Sequence, residues 1–139
     1  MTRFFITLEQ SVEFVINSFK RMRGGEIFIP KLSRVKIIDI IKALNPKPKI
    51  NIIGIRQGEK IHETLGGKDE ARNILEYDKY YLLLPTLDDG NIKRYLIDPL
   101  TKKKGKMVSE NFEFDSSSAK ERLTINSIKK LINSLGEGN

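Results

Sequence analysis

The 139-residue sequence contains no cysteine and only one histidine, His62. The lack of cysteine excludes disulfides and thiolate metal sites, which suits a cytoplasmic protein. One imidazole without a second histidine at helical spacing does not predict a metal site, so we interpret His62 as a packing residue beside a site. No apolar run approaches the roughly 20 residues that span a bilayer, and the N-terminus lacks a signal-peptide pattern. We therefore expect a cytoplasmic protein with no metal and no membrane partner.

The chain has an excess of positive charge, with 25 lysines and arginines against 18 acidic residues. Basic domains often bind nucleic acid, because displaced counterions favour the complex. The one compact basic run, Lys102 to Lys104 with Lys106, follows Pro99 and includes Gly105, which is typical of a solvated loop. Interleaved aromatics and a helix-turn-helix pattern are missing from it. A small basic nucleic-acid-binding module stays open only as the alternative function.

Hydrophobic periodicity and capping signals predict alternating strands and helices in the first half of the chain. The expected elements are a helix at Leu8–Arg23 behind a Thr7/Gln10 capping box, a strand at Glu26–Ile29, a helix capped by Ser33, and a strand at Ile50–Ile55. The last strand is apolar at nearly every position, which predicts a parallel strand covered on both faces. Its connection to the earlier strand should be a right-handed crossover. The pattern predicts the α/β fold class.

The second half has weaker signals. The expected elements are a short helix at Ile61–Leu65, a helical turn at Asp69–Asn73, a strand at Tyr80–Leu84, a turn at Asp88–Asn91, a returning strand at Ile92–Ile97, a short edge strand at Phe112–Phe114, and a final helix capped by Thr124. The buried face of that helix should carry Ile125, Ile128, Leu131, Ile132 and Leu135.

Polar residues follow directly on the Ile50–Ile55 run, at the kind of strand end where α/β proteins hold anionic ligands. Arg56 offers planar donors that match a phosphate, and Glu59 can accept hydrogen bonds from a pair of ribose hydroxyls. Gly58 allows the backbone to turn closely. The alternative is that Arg56 and Glu59 only pair with each other.

The segment Gly54 to Glu63, which reads Gly-Ile-Arg-Gln-Gly-Glu-Lys-Ile-His-Glu, resembles the Arg-Pro-Gly-Glu-Lys-x-His-Glu signature of the nucleotide-sugar 4,6-dehydratases. Those enzymes are extended short-chain dehydrogenases/reductases of polysaccharide biosynthesis, and the group acting on UDP-N-acetylglucosamine is the most similar. Gln57 departs from the usual proline. Three further stretches match the same family in order: Met1 to Phe5, Gly24 to Lys31, and Asp69 to Tyr77.

The resemblance implies a UDP-sugar-binding, C-terminal portion of such an enzyme. The implied substrate-binding residues are Met1, Thr2, Arg3, Lys31, Arg56 and Glu59, with Arg3 offered to the diphosphate. The implied fold is a small partial Rossmann-type unit with a strand-helix-strand substrate-binding domain and a C-terminal helix. Residues 1–31 would complete a dinucleotide-binding domain, 32–85 would bind the nucleotide sugar, and 86–139 would form a hairpin, loops and the last helix.

The family's internal redox cycle needs NAD or NADP, a glycine-rich phosphate-binding turn and a Tyr-x-x-x-Lys pair. No glycine triplet has that spacing, and no tyrosine has a lysine four positions on. We therefore expect no catalytic residue and no cofactor site in this chain, which would be an excised domain, a truncated reading frame or half of a split enzyme. Apolar faces made for the missing Rossmann half should lead to binding of that half or to self-association.

Overall fold

The first helix begins where the capping box places it. In this computed structural model, which describes residues 1–85 and 92–136, the Thr7 hydroxyl accepts from the Gln10 backbone N–H at 3.2 Å and the Gln10 side chain accepts from Thr7 N–H at 3.0 Å. Both bonds satisfy N–H groups that have no partner inside the helix. Helix α1 runs over Leu8–Arg21.

The described residues form eleven helices and strands, which divide between two compact units. In chain order they are β1 (Thr2–Phe5), α1 (Leu8–Arg21), β2 (Ile27–Pro30), β3 (Ser33–Lys36), α2 (Ile37–Leu44), β4 (Thr64–Gly66), β5 (Ile74–Glu76), β6 (Tyr80–Leu83), β7 (Lys106–Met107), β8 (Phe114–Asp115) and α3 (Ile125–Gly136). Short 3₁₀-helical segments occupy Lys68–Asn73 and Ile92–Arg94. The predicted fold class is confirmed, since the chain is mixed α/β with small sheets and a C-terminal helix.

The first unit contains Met1–Phe5, Leu32–Glu63 and the chain from Asp115 onward. Strands β1 and β3 pair antiparallel, with Thr2 opposite Lys36 and Phe5 opposite Ser33. Val35, Ala43 and Ile128 form the buried centre, and side chains of α2 and α3 pack around them. The Thr124 cap of α3 is confirmed, because its hydroxyl accepts from Ser127 N–H at 3.2 Å.

The second unit contains Ile6–Lys31 and Thr64–Phe114. Its four-stranded antiparallel sheet has the order β2-β6-β5-β7. The core is rich in aromatic residues: Leu75, Tyr77, Tyr80, Leu82, Leu84 and Tyr95 are all buried. The two units are thus interleaved along the sequence, whereas the three segments expected from the resemblance are consecutive.

Two predictions in the first unit are wrong. Ser33 does not cap a helix, because Ser33–Lys36 is a strand whose backbone pairs with β1 and whose Arg34 exchanges hydrogen bonds with Glu121 and Leu123 at 2.8 and 2.9 Å. Helix α2 starts only at Ile37. The Ile50–Ile55 run is not a strand either, and Ile52 and Ile53 are 90% and 68% exposed. Without a partner strand among the described residues, an apolar run has no ladder to join.

The expected parallel crossover is therefore wrong as well: β2 pairs antiparallel with β6. The predicted hairpin strand at Ile92–Ile97 is also wrong, because β2 and β5 already occupy both edges of β6. The predicted helix at Ile61–Leu65 is absent and β4 starts at Thr64, since Ile61 and Glu63 make long-range backbone bonds to Thr2 and Ser116. The turn at Asp88–Asn91 lies outside the described residues, as does the side chain of Leu135.

Candidate functional site

Arg56 and Glu59 close a tight turn in the first unit. Glu59 N–H donates to the Arg56 carbonyl at 3.1 Å, and Arg56 N–H donates to Glu59 Oε2 at 3.2 Å. Gly58 supplies the left-handed conformation, with φ of 80°, that the third position of such a turn requires. Glu59 therefore holds the backbone of Arg56.

The Arg56 side chain is exposed, and no ion pair within residues 1–85 and 92–136 involves it. The alternative in which Arg56 and Glu59 satisfy each other through a side-chain ion pair is thus not the arrangement seen. A guanidinium presented in this way has its planar donors available for a phosphate or carboxylate.

The Arg3 side chain hydrogen-bonds to the segment that follows the Arg56–Glu59 turn. Its guanidinium donates to the carbonyls of Lys60 and Ile61 at 2.9 and 3.3 Å and to that of Thr2 at 2.7 Å. It also pairs with Glu63 at 3.3 Å. The first motif of the chain therefore clamps the backbone leading out of the Arg56 turn. The carbonyl of Met1, whose side chain is half exposed, accepts from Ile37 N–H at 3.3 Å.

A buried hydroxyl network lies beside this clamp. Thr2 Oγ1 is 2.7 Å from both His62 Nδ1 and Ser116 Oγ. Ser116 is fully buried, and its Oγ also accepts from Glu63 N–H at 2.9 Å. His62 thus packs and hydrogen-bonds within the first unit. The sequence reasoning did not identify Ser116, whose only signal is its place at the start of a three-serine loop.

Lys31 belongs to the second unit. Its ammonium group lies 2.7 Å from Glu76 Oε1 and 4.8 Å from the centre of the Tyr81 ring. Lys31 therefore has a carboxylate partner and a cation–π contact within its own unit.

Asp98, also in the second unit, is a buried residue that the sequence reasoning missed. It is 2% exposed and accepts from Arg21, Tyr80 and the N–H groups of Leu100 and Thr101. Burial raises the pKa of Asp98, but these backbone and Arg21 hydrogen bonds lower it more, so the net pKa is below the usual 3.8. Burial, followed by the Asp98 charge, raises the pKa of Tyr80.

Two motifs associated with dinucleotide-dependent chemistry are missing from the sequence. No three-glycine turn and no Tyr-x-x-x-Lys pair occurs in the sequence. In the part of the chain that the structure describes, no group of His, Asp and Glu side chains could hold a metal ion. No described helix is long and apolar enough to cross a membrane.

Comparison with solved structures supports the fold. The X-ray structure of a protein called Pen from Bacillus thuringiensis superposes with a TM-score of 0.72 over 97% of this chain and 38% of its own chain, at 24% identity. At that identity the likeness concerns the fold.

Comparison with curated sequences supports the family. An inverting UDP-N-acetylglucosamine 4,6-dehydratase of Campylobacter jejuni is 43% identical over 119 residues, which is 84% of this chain and 35% of the relative. A UDP-glucose 4-epimerase of Rickettsia bellii is 31% identical over 136 residues, or 95% of this chain and 38% of the relative. The chain thus spans little more than a third of the length of these relatives. A family profile described as polysaccharide biosynthesis protein matches residues 1–85. As the four sequence motifs predicted, the chain belongs to this polysaccharide biosynthesis family.

Proposed function

We propose that this chain is the UDP-sugar-binding part of a nucleotide-sugar 4,6-dehydratase of the UDP-N-acetylglucosamine type, acting in the synthesis of surface glycans in the cytoplasm. The 43% identity to a dehydratase of that name supports the substrate class. The epimerase of Rickettsia bellii also carries the name of an enzyme that acts on a UDP-sugar. The reaction itself is proposed for the chain in combination with a dinucleotide-binding domain.

The observation that carries the proposal is the exposed guanidinium of Arg56 on a turn that Glu59 and Gly58 hold in place. Arg56 would bind the diphosphate bidentately. Glu59 uses Oε2 on the backbone, which leaves Oε1 to accept from a ribose hydroxyl. Because the turn is already formed, little conformational entropy is lost when the ligand binds.

Met1, Thr2 and Arg3 belong to the proposed site in a supporting role. Arg3 already donates to three carbonyls and pairs with Glu63, so it acts by positioning the segment after the Arg56 turn. Thr2 anchors the same segment through His62 and Ser116. Lys31 is a further proposed ligand contact, for which its Glu76 ion pair would have to rearrange.

The cofactor, NAD or NADP, would be held by a separate Rossmann domain, since the chain has no glycine-rich turn. Such a domain would also cover α1, in which none of the residues is buried. Val12, Val15, Ile16 and Phe19 are all at least 48% exposed on that helix. We expect the chain by itself to show no dehydratase turnover and no specific NAD affinity, and measured turnover would contradict this.

Calorimetric titration of the chain with UDP-N-acetylglucosamine tests the proposal. Arg56→Ala should weaken binding by about 1.5–3 kcal/mol, the range for hydrogen bonds to a charged group. Lys49→Ala is the matched control, because it removes an exposed cation from the same segment and should leave the affinity unchanged. An unchanged affinity in Arg56→Ala would assign Arg56 a structural role.

A parallel titration with a generic oligonucleotide tests the alternative, a basic nucleic-acid module. Aromatic stacking does not favour it, because Tyr77 and Tyr80 are buried at 6% and 3% exposure. Salt-sensitive binding of the oligonucleotide with no binding of the UDP-sugar would replace the proposed function with this alternative.

A further inference from the structure

A cleft in the second unit carries more positive charge than its carboxylates neutralise. We call it the basic cleft; its volume is about 390 Å³. Its cationic side chains are Arg21, Lys31, Lys79, Lys103, Lys104 and Lys106, and its acidic side chains are Glu76, Asp78 and Asp98. Six cationic residues and three acidic residues therefore line the basic cleft.

Each carboxylate of the basic cleft already has one cationic partner. Arg21 pairs with Asp98 at 3.1 Å, Lys31 with Glu76 at 2.7 Å, and Lys103 with Asp78 at 2.8 Å. The remaining three lysines, at positions 79, 104 and 106, have no carboxylate within 4.0 Å among the residues that the structure describes. Three unneutralised ammonium groups around one cleft attract a multivalent anion.

The loop that carries Lys104 and leads into Lys106 is held by hydrogen bonds. Asp98 Oδ1 accepts from Leu100 N–H at 2.8 Å and from Thr101 N–H at 3.1 Å, and Asp98 N–H donates to the Lys103 carbonyl at 2.9 Å. Gly105 N–H donates to the Leu96 carbonyl at 2.8 Å. The loop between Asp98 and Gly105 is therefore formed before any ligand binds, which reduces the entropy lost on binding.

Close packing holds the same loop against the aromatic core. A Cβ at Gly105 would lie 2.7 Å from the Tyr77 ring, so the backbone approaches that ring as closely as only glycine permits. Lys106 follows in β7, directly opposite Glu76 on β5. Facing residues of an antiparallel pair project from the same side of the sheet, which brings Lys106 to the side where Lys31 meets Glu76.

The geometry favours phosphate groups on a small molecule over a polynucleotide. Lysine ammonium groups bind phosphate as point charges, and several of them spread around one cleft suit linked phosphates. Nucleic-acid bases would need an exposed aromatic ring on which to stack. The Tyr77 and Tyr80 rings instead stack on each other, with their centres 4.7 Å apart, and the Arg21 guanidinium lies 5.1 Å from the Tyr80 ring centre. We propose that the basic cleft is a binding site for a diphosphate or triphosphate group.

Titration of the full chain with inorganic tripolyphosphate at low salt tests this proposal. The cleft variant Lys79→Gln/Lys104→Gln/Lys106→Gln should bind about tenfold more weakly, because three charge contacts are lost. The control variant Lys20→Gln/Lys42→Gln/Lys130→Gln removes the same net charge from exposed helix positions and should stay within about twofold of the wild type. Tyrosine fluorescence melts would show that the second unit, which contains the cleft, is folded in both variants, since all four tyrosines lie in it.

A second titration with UDP-N-acetylglucosamine identifies the source of the phosphate groups. Weaker binding of both ligands by the cleft variant would mean that the cleft takes the diphosphate of the nucleotide sugar; weaker binding of tripolyphosphate alone would mean a separate phosphorylated ligand. Either result supports the proposal. No tripolyphosphate binding by the wild type, or equal losses in cleft and control variants, would overturn it. Arg56→Ala should leave tripolyphosphate binding unchanged, so failure of the proposed UDP-sugar function would be recognised separately.

Discussion

Replacement of Asp98 should destabilise the second unit more than replacement of any exposed acidic residue in it. The Asp98 side chain is 3% exposed and that of its partner Arg21 is 13% exposed. Asp98→Ala would remove the acceptor of Arg21, of the Tyr80 hydroxyl and of two backbone N–H groups in one step. Loss of one partner from a buried ion pair leaves the other charge uncompensated.

The expected loss of unfolding free energy depends on which hydrogen bonds the substituted side chain can still accept. Asp98→Ala should lower the free energy of unfolding by about 3–5 kcal/mol, the range for removing one partner of a buried ion pair. Asp98→Asn keeps one oxygen, which can still accept from Leu100 and Thr101, and loses the charged bond to Arg21. That change should cost about 1.5–3 kcal/mol.

Urea unfolding followed by tyrosine fluorescence reports on the second unit, which contains Asp98. The chain has four tyrosines and no tryptophan, and every tyrosine lies within Thr64–Phe114 of the second unit. Asp78→Asn is the matched control, because the ion pair of Asp78 with Lys103 is 64% exposed on both sides and should contribute nothing measurable. Equal unfolding free energies for wild type and Asp98→Ala would refute the reasoning.

The pH dependence gives an independent check with a definite sign. The folded pKa of Asp98 is lowered below its usual value of 3.8. Between the folded and the unfolded pKa, the unfolded state therefore binds more protons at this carboxylate than the folded state does. The stabilisation is complete above pH 3.8 and is lost as the pH falls through the folded pKa. The stability difference between wild type and Asp98→Asn should therefore be constant near neutrality and shrink below about pH 4. A difference that grows on acidification would contradict the assignment.

Three further predictions concern the Arg56 turn, the Thr2 network and helix α1. Gln57→Pro should slow hydrogen exchange of the Glu59 amide, because proline pre-sets the second position of the turn, and faster exchange would contradict the turn geometry. Thr2→Val should lower the free energy of unfolding by about 1–3 kcal/mol, measured by circular dichroism in urea, since it removes the hydroxyl between His62 and Ser116; Thr2→Ser should retain most of the stability. Phe19, 67% exposed on α1, should promote association of the chain, so Phe19→Lys should reduce the sedimentation coefficient at micromolar concentration. A wild-type chain that sediments as a concentration-independent monomer would contradict this last prediction.

The sequence alone determined the features that depend on residues close together in the chain. The Thr7 capping box and the Thr124 cap are bonds between residues three positions apart, and both could be read from residue type and spacing. At the Arg56–Glu59 turn, Gly58 indicated that the backbone turns, but not that the Glu59 N–H bonds to the Arg56 carbonyl. The family could also be read, because its motifs are short ordered strings. The short α2 shows the limit, since its apolar residues indicated a helix but not its first residue.

Only the tertiary structure decided which strands pair and which polar residues are buried. Ser33–Lys36 carries a helix-start signal yet forms a strand, because β1 supplies a complete set of backbone partners. Asp98 and Ser116 look like ordinary loop residues, and their importance comes from partners such as Arg21 and Thr2, 77 and 114 positions away. A backbone or buried polar group bonds to whichever partner the fold brings within hydrogen-bond distance. The spacing of nearby residues in the sequence does not indicate which distant residue that partner is.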